Sequence, residues 1–156
     1  MKKLILSAVF THLLIAGSNL CNLLPAKVQN YVATSKCEYT NVESNSQKSM
    51  QASRDYKNGK KQITLQLLKG GLASQMMSSF MMPMQIETDE IIMKVTKCKS
   101  FKCAITYNKK DKGGVVIVLL DENTPSIISV MFENTDIGEI YNIINKIELS
   151  KIKNEL

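Results

Sequence analysis

The stretch CKSFKC, Cys98 to Cys103, holds two of the chain's four cysteines. Two such thiols can form a redox site, supply half of a metal site, or join in a disulfide. A thioredoxin-like redox site needs a Cys-X-X-Cys motif at a helix start, and this stretch has longer spacing between strand-like runs. A zinc site would need all four cysteines, because the only histidine, His12, lies in a predicted signal peptide (residues 1–18) that is removed. We therefore predict a Cys98–Cys103 disulfide, which leaves Cys21 and Cys37 to pair with each other unless Cys21 carries a lipid.

A second chemically distinctive stretch is MMSSFMMPM, Met76–Met84, with five of the nine methionines. Thioethers are soft ligands that suit Cu(I), so a copper chaperone is one hypothesis. Flexible methionines also fill cores and form adaptable binding surfaces, and this is the hypothesis that we favour. The predicted surface for an apolar ligand or a partner consists of Met76, Met77, Phe80, Met81 and Met84, and we predict no metal ligand.

The remaining inventory excludes most familiar catalytic designs. Beyond His12 the chain has no histidine, it has no tryptophan, and Arg54 is its single arginine. The mature protein, without the predicted signal peptide, would therefore lack histidine general bases, Ser-His or Cys-His pairs, and arginine clamps for phosphate. The acidic run of Glu87, Asp89 and Glu90 lacks the ligand pattern of a calcium loop. We expect no enzyme, no catalytic residue and no cofactor.

The chain is basic, with a formal net charge of +6, and many lysines lie close together. Seven fall within one short stretch: Lys94, Lys97, Lys99, Lys102, Lys109, Lys110 and Lys112. A solvated strand face is the favoured interpretation, and weak attraction to lipid headgroups is the alternative. Only Phe101 and Tyr107 are interspersed as stacking aromatics, so we predict no nucleic-acid binding.

The N-terminus predicts an exported protein. Lys2 and Lys3 precede a mainly apolar run and small residues at Ala16-Gly17-Ser18, which is typical of a secretory signal peptide over residues 1–18. Its removal would lower the charge from +6 to +4. An uncleaved anchoring helix is the alternative, as is a lipid on Cys21, for which Leu20 is a poor preceding residue. An oxidising periplasmic or extracellular location also favours disulfides.

Apolar periodicity outlines the elements that would position these residues. We predict a short helix after Pro25, a strand over 35–42, and a hairpin over 51–68 that turns at Asn58-Gly59. A helix over 72–82 should stop at Pro83. Four strands follow, over 91–98, 102–107, 115–120 and 126–132. The last helix carries an apolar stripe and a predicted capping box from Asp136 to Glu139.

This order predicts an α+β fold, in which an antiparallel sheet packs against the Met-rich middle helix and a C-terminal amphipathic helix. The expected organisation is a signal peptide over 1–18, an N-terminal segment over 19–34 and one α+β domain over 35–156. The layout is similar to small secreted bacterial α+β proteins, including PsbP-like domains, over most of residues 35–150. That resemblance implies a non-catalytic accessory or binding role and carries over no functional residue.

The functional expectation is a periplasmic binding or accessory protein of the bacterial envelope, whose partner is an envelope protein or a small apolar ligand. A structural or protein-interaction module is the alternative. Membrane association is expected only through a lipid on Cys21 or through weak lysine contacts. An exposed apolar patch at the methionines would favour a protein partner, and a closed cavity there would favour a ligand.

Overall fold

The computed structural model describes residues 20–44, 47–81 and 85–156. The predicted signal peptide and Met84 lie outside the described residues.

Strands dominate the described part of the chain. They are β1 (Lys27–Val28), β2 (Tyr31–Ala33), β3 (Glu38–Ser44), β4 (Gln47–Asn58), β5 (Lys61–Gly70), β6 (Ile86–Glu87), β7 (Ile91–Cys98), β8 (Phe101–Asn108), β9 (Gly113–Asp121) and β10 (Ser126–Glu133). They form one sheet in the order β1-β2-β4-β5-β10-β9-β8-β7-β6, and β3 pairs with β4 beside β2. Neighbouring strands are antiparallel throughout.

Helices are short and few by comparison. They are residues 20–22 at the start of the described chain, α1 (Gly71–Met76), which continues into a 3₁₀ turn (Met77–Phe80), α2 (Ile137–Lys146) and α3 (Leu149–Glu155). Strands account for 52% of the described residues and helices for 23%, so the molecule is mainly an antiparallel β-sheet with small helices. The predicted α+β class, a sheet with substantial packed helices, is therefore wrong.

The Met-rich segment accounts for part of that error. The helix predicted as far as residue 82 ends at Met76, and its N-terminus has no side-chain cap. The Ser78 hydroxyl donates a hydrogen bond to the Gln75 carbonyl oxygen at 3.0 Å. A serine that bonds to the preceding backbone in this way competes with regular helical bonding. Apolar spacing at 3.6 residues therefore does not make a full helix here.

The predicted hairpins are largely confirmed. The strands predicted over 91–98 and 102–107 pair as β7 and β8, and the buried strand predicted over 115–120 is β9, between β8 and β10. The earlier hairpin turns at Gly59-Lys60, one residue later than predicted, because Asn58 pairs with Lys61 in the ladder. Gly59 then takes φ +61°, a conformation that glycine adopts without strain.

The two faces of the sheet bury different cores, as strand alternation requires. On β9, Val116 and Val118 belong to the larger core, while Ile117 and Leu119 belong to the smaller one. Buried residues of α2 and α3 complete the larger core. Half-buried residues of α1 and the 3₁₀ turn pack against the smaller core. One face is therefore well covered and the other is covered only in part.

The N-terminal segment lies on the larger core. The short helix predicted after Pro25 is wrong, because this stretch forms β1 and β2, and β2 pairs with β4. Two side chains of β4 hold it in place. The Arg54 guanidinium donates to the Leu24 carbonyl oxygen at 2.6 Å, and the Tyr56 hydroxyl donates to the Pro25 carbonyl oxygen at 2.7 Å.

The start of α2 also differs from its prediction. Asp136 is the N-cap residue, but its side chain makes no capping hydrogen bond, so the predicted capping box is wrong. Glu139 instead accepts a hydrogen bond from the Tyr31 hydroxyl and pairs with Lys61. A tertiary contact has taken the carboxylate that the local motif would have used.

Candidate binding surface

The four cysteines form two pairs at disulfide-bonding distance, which is consistent with the predicted pairing. The Cα atoms lie 5.8 Å apart in Cys98–Cys103 and 5.7 Å apart in Cys21–Cys37. Cys98 and Cys103 are 3% and 0% exposed and lie in the larger core. Their disulfide crosses the β7–β8 hairpin, where Cys98 pairs with Phe101 and Cys103 with Thr96. Both disulfides are consistent with an oxidising, extracellular or periplasmic location.

The predicted methionine surface is divided by the structure. Met76, Met77 and Phe80 are half-buried and pack against the smaller core. Met81 is 81% exposed. The first three side chains therefore act mainly in packing, and Met81 is presented to solvent. The copper hypothesis stays a prediction, because no geometry among these residues tests it.

A row of exposed apolar side chains lies on strands β6 and β7 of the sheet. Ile91, Met93 and Val95 alternate along β7 and so share one face, and Ile86 is paired with Met93 in the ladder. These four side chains are 36–38% exposed. We call Ile86, Ile91, Met93 and Val95 the outer patch. The sequence predicted β7 but not its exposure, because apolar residues occupy both faces of this strand.

The outer patch contains a shallow groove instead of a deep pocket. Ser79 of the 3₁₀ turn and Ile86, Met93 and Val95 line it, with Ala104 and Thr106 from β8. Its volume is about 110 Å³, well below the few hundred Å³ typical of small-molecule sites. The shape favours contact with a protruding side chain of another protein over enclosure of a ligand.

Two lysines border this patch on the same face. Lys97 follows Val95 by two residues on β7, and Lys102 precedes Ala104 by two on β8, so the two lysines are direct cross-strand neighbours. Like charges in this arrangement are destabilising. Lys102 also lies 3.3 Å from Glu122, and because both side chains are exposed, solvent screens the attraction between them strongly. The end of the outer patch is therefore positively charged.

The rest of the lysine cluster does not form a single surface. Lys99 donates to the Ile147 carbonyl oxygen at 2.8 Å, on the opposite side of the sheet from Lys97. Lys109 pairs with Glu87, and Lys112 pairs with Asp136. This distribution favours the prediction of solvated strand faces and loops.

The acidic run is also dispersed. Glu87 pairs with Lys109, while the Thr88 hydroxyl accepts hydrogen bonds from the backbone of Glu90 and Ile91. Within residues 20–44, 47–81 and 85–156, no group of three or more histidine, cysteine, aspartate or glutamate side chains is placed to hold a metal ion.

The most perturbed titratable groups are tyrosines in structural positions. Burial raises the pKa of Tyr31 to about 12, and the Glu139 carboxylate that accepts its hydrogen bond contributes to the increase. Burial also raises the pKa of Tyr56 to about 12, against the opposing effect of the nearby Arg54 charge. Both phenols stay protonated as hydrogen-bond donors that join the N-terminal segment to the sheet and to α2.

Comparison with known proteins finds no relative. No protein family, no curated protein and no solved structure matches this chain. The similarity of element order to PsbP-like domains thus gains no support from these comparisons. In the part of the chain that the structure describes, no helix combines the length and apolar character needed to cross a membrane.

Proposed function

We propose that this protein is an exported, non-catalytic binding protein of the bacterial envelope that docks a partner protein on the outer patch. The partner segment is apolar, with acidic residues at the end that meets Lys97 and Lys102. The observation that carries this proposal is the row of apolar side chains left exposed on the incompletely covered face of the sheet.

The energetic argument rests on burial. Contiguous exposed apolar patches on soluble proteins commonly mark interaction sites. Burial of apolar side chains contributes about 25 cal/mol per Å², and methionines adapt to an irregular partner. The shallow groove beside Met93 gives one protruding partner residue a place to anchor, as the central residues of interfaces do.

Charge provides selectivity. Lys102 lies 3.3 Å from Glu122, so Lys97 and Lys102 together leave a net positive charge at this end, which an acidic partner neutralises. Complementary charges also accelerate encounter and disfavour basic partners. The lysines at the patch therefore act on the choice of partner and on the association rate, while the apolar row supplies most of the affinity.

The proposed location is the periplasm or the extracellular space, supported by the two disulfides. The Cys21 sulfur lies in the disulfide with Cys37. A lipid on Cys21 would need that same sulfur, so the lipid-anchored alternative requires the disulfide to be broken. The absence of catalytic function is proposed from the sequence inventory, in which the only histidine lies in the predicted signal peptide.

Photo-crosslinking in the native cell tests the docking site. A photoreactive phenylalanine derivative at Met93 is compared with one at Val42, which is 48% exposed on β3 and lies outside the outer patch. We expect one adduct of defined mass from Met93 and none from Val42. The adduct should decrease with Val95→Asp and with Lys97→Glu/Lys102→Glu, but not with Lys57→Glu/Lys110→Glu. Equal labelling at Met93 and Val42 would contradict the proposal.

A further inference from the structure

A second cavity lies away from the outer patch, between the N-terminal segment and helices α2 and α3. Its volume is about 530 Å³, within the range of small-molecule sites. Leu23 is half-buried on one wall, and Val28, Ile147 and Ile152, which are 3–4% exposed, form the floor. Val28, Ile147 and Ile152 are buried side chains of the larger core, so the floor of the cavity is continuous with that core.

Both walls are attached to the sheet by specific bonds. On one side, Arg54 and Tyr56 hold the carbonyl oxygens of Leu24 and Pro25, and the Cys21–Cys37 disulfide restrains the same segment. On the other side, Lys99 holds the Ile147 carbonyl oxygen at the junction of α2 and α3. Walls that are fixed independently do not collapse onto each other, and a preformed site costs a ligand less ordering entropy.

The rim of the cavity is charged and favours an anion. Lys27, Lys146 and Lys151 line it together with Glu148 and Glu155. Glu148 lies 3.9 Å from Lys151, which offsets one charge of each sign. Among the described residues, Lys27 and Lys146 have no ion-pair partner, so the two lysines outnumber the remaining carboxylate of Glu155.

We propose that this cavity binds a small amphipathic anion, with an apolar body on Leu23, Val28, Ile147 and Ile152 and a carboxylate or phosphate headgroup at Lys27 and Lys146. An inorganic anion would make no contact with the apolar lining, so we expect it to bind more weakly than an amphiphile. The lysine rim disfavours neutral amphiphiles, because they forgo charge-assisted hydrogen bonds. This site is independent of the docking surface proposed above.

Titration calorimetry on the disulfide-bonded protein tests the proposal with dodecanoate, dodecyl phosphate, dodecanol and inorganic phosphate as probes. The two anionic amphiphiles are kept below their micelle concentrations and dodecanol below its solubility limit. We expect saturable binding of one molecule of dodecanoate or dodecyl phosphate, and the tighter of the two identifies the headgroup. Dodecanol and inorganic phosphate should bind at least about tenfold more weakly, since each lacks one half of the interaction. Equal binding of inorganic phosphate and dodecyl phosphate would overturn the proposal, as would no saturable binding of either anionic amphiphile.

Two exposed lysines provide the decisive variant, because their replacement leaves the core intact. Lys27→Glu/Lys146→Glu should weaken binding of the anionic amphiphile by about tenfold or more. The matched control is Lys57→Glu/Lys110→Glu, which makes the same charge change at exposed sites outside the cavity and should leave affinity unchanged at moderate salt. An equal loss in both variants would overturn the proposal by assigning the binding to net charge. The crosslink at Met93 should be unaffected by Lys27→Glu/Lys146→Glu, which separates this test from that of the docking surface.

Discussion

The Tyr31 hydroxyl donates a hydrogen bond of 2.8 Å to the Glu139 carboxylate, joining β2 to α2 across 108 positions of sequence. The other Glu139 oxygen lies 2.5 Å from the Lys61 ammonium group on β5, and Thr135 approaches the same phenol at 3.3 Å. Through this cluster the first strands, the central hairpin and the last helical region hold one another in place.

Removal of the Tyr31 hydroxyl should destabilise the whole fold. Tyr31→Phe keeps the ring in the core but removes the hydrogen bond to a charged acceptor, so we expect the free energy of unfolding to fall by about 1–2 kcal/mol. Urea denaturation measures it. Tyr39→Phe is the matched control, because Tyr39 is half-buried and its hydroxyl has no hydrogen bond in the described structure. If both variants lost the same free energy of unfolding, the hydrogen bond from Tyr31 to Glu139 would contribute no more than an unbonded tyrosine hydroxyl.

Stability should decline in alkali through the buried tyrosines. The pKa values of Tyr31 and Tyr56 are raised from 10.0 to about 12 in the folded protein. Below pH 10 both phenols are protonated in the folded and in the unfolded chain, so their contribution to the free energy of unfolding is fully present. As the pH rises from 10 to about 12, the unfolded chain loses phenolic protons that the folded protein retains, so the free energy of unfolding falls.

Urea denaturation across this pH window checks the sign. The comparison is with a Tyr31→Phe/Tyr56→Phe variant, which isolates the contribution of these two phenols. That variant should show a shallower decline than the natural chain, although its stability at neutral pH is lower. A decline of identical slope in both proteins would mean that other groups cause it.

The two disulfides should differ in accessibility. Cys98 and Cys103 are buried, whereas Cys21 and Cys37 are half-buried near the surface. A reductant applied to the folded protein should therefore cleave Cys21–Cys37 first, as read by alkylation and peptide mass spectrometry. In denaturant the difference in rate should disappear. Prior reduction of Cys98–Cys103 in the folded state would contradict this ordering.

Loss of each disulfide should also cost a different amount of stability. Their sequence separations are 16 and 5 residues for Cys21–Cys37 and Cys98–Cys103. The loop-entropy estimate is about 3 kcal/mol for the longer loop and about 2 kcal/mol for the shorter one. Paired Cys→Ser variants, compared by urea denaturation, measure both values. A larger loss from the shorter loop would show that burial of its sulfurs outweighs loop entropy.

A pair of glycines gives opposite expectations for one substitution. Gly138 lies exposed in α2 with open space around it, so Gly138→Ala should raise the free energy of unfolding by up to about 1 kcal/mol. A Cβ atom at Gly114 on β9 would clash with the Thr106 carbonyl oxygen and lie 2.9 Å from the Tyr107 Cα. Gly114→Ala should therefore lower it. Thermal and urea unfolding measure both, and a change of the same sign in the two variants would refute this account.

The sequence predicts the elements whose pattern is local and strong. The uninterrupted β-branched run at the start of β9 indicates a buried strand, and the alternation at Ile63, Leu65 and Leu67 indicates a half-buried one. The Met-rich segment misleads because helical spacing is present while a serine hydroxyl competes for the backbone. Strands β1 and β2 are only two and three residues long, so they depend on pairing with β4, which no local pattern records.

The sequence likewise predicts only those parts of the candidate sites that have a local pattern. The composition of the Met-rich segment points to a binding surface, and of its described residues Met81 is the most exposed. The exposure of Ile86, Ile91 and Val95 in the outer patch could not be predicted, because α1 and the 3₁₀ turn cover only part of that face of the sheet. The cavity between Val28 and Ile152 joins residues more than a hundred positions apart, so it depends entirely on topology.

The contact between Tyr31 and Glu139 has a consequence for how the chain folds. The larger core contains side chains from Leu24 and Tyr31 through to Ile144 and Ile152, so it is complete only when α2 and α3 have arrived. Such long-range closure is entropically costly and makes for slow folding. The central hairpins can pair early and β2 can join β4, but the core beneath them is closed only when α2 and α3 pack on it. We therefore expect the packing of α2 and α3 onto the N-terminal segment to be a late step of folding.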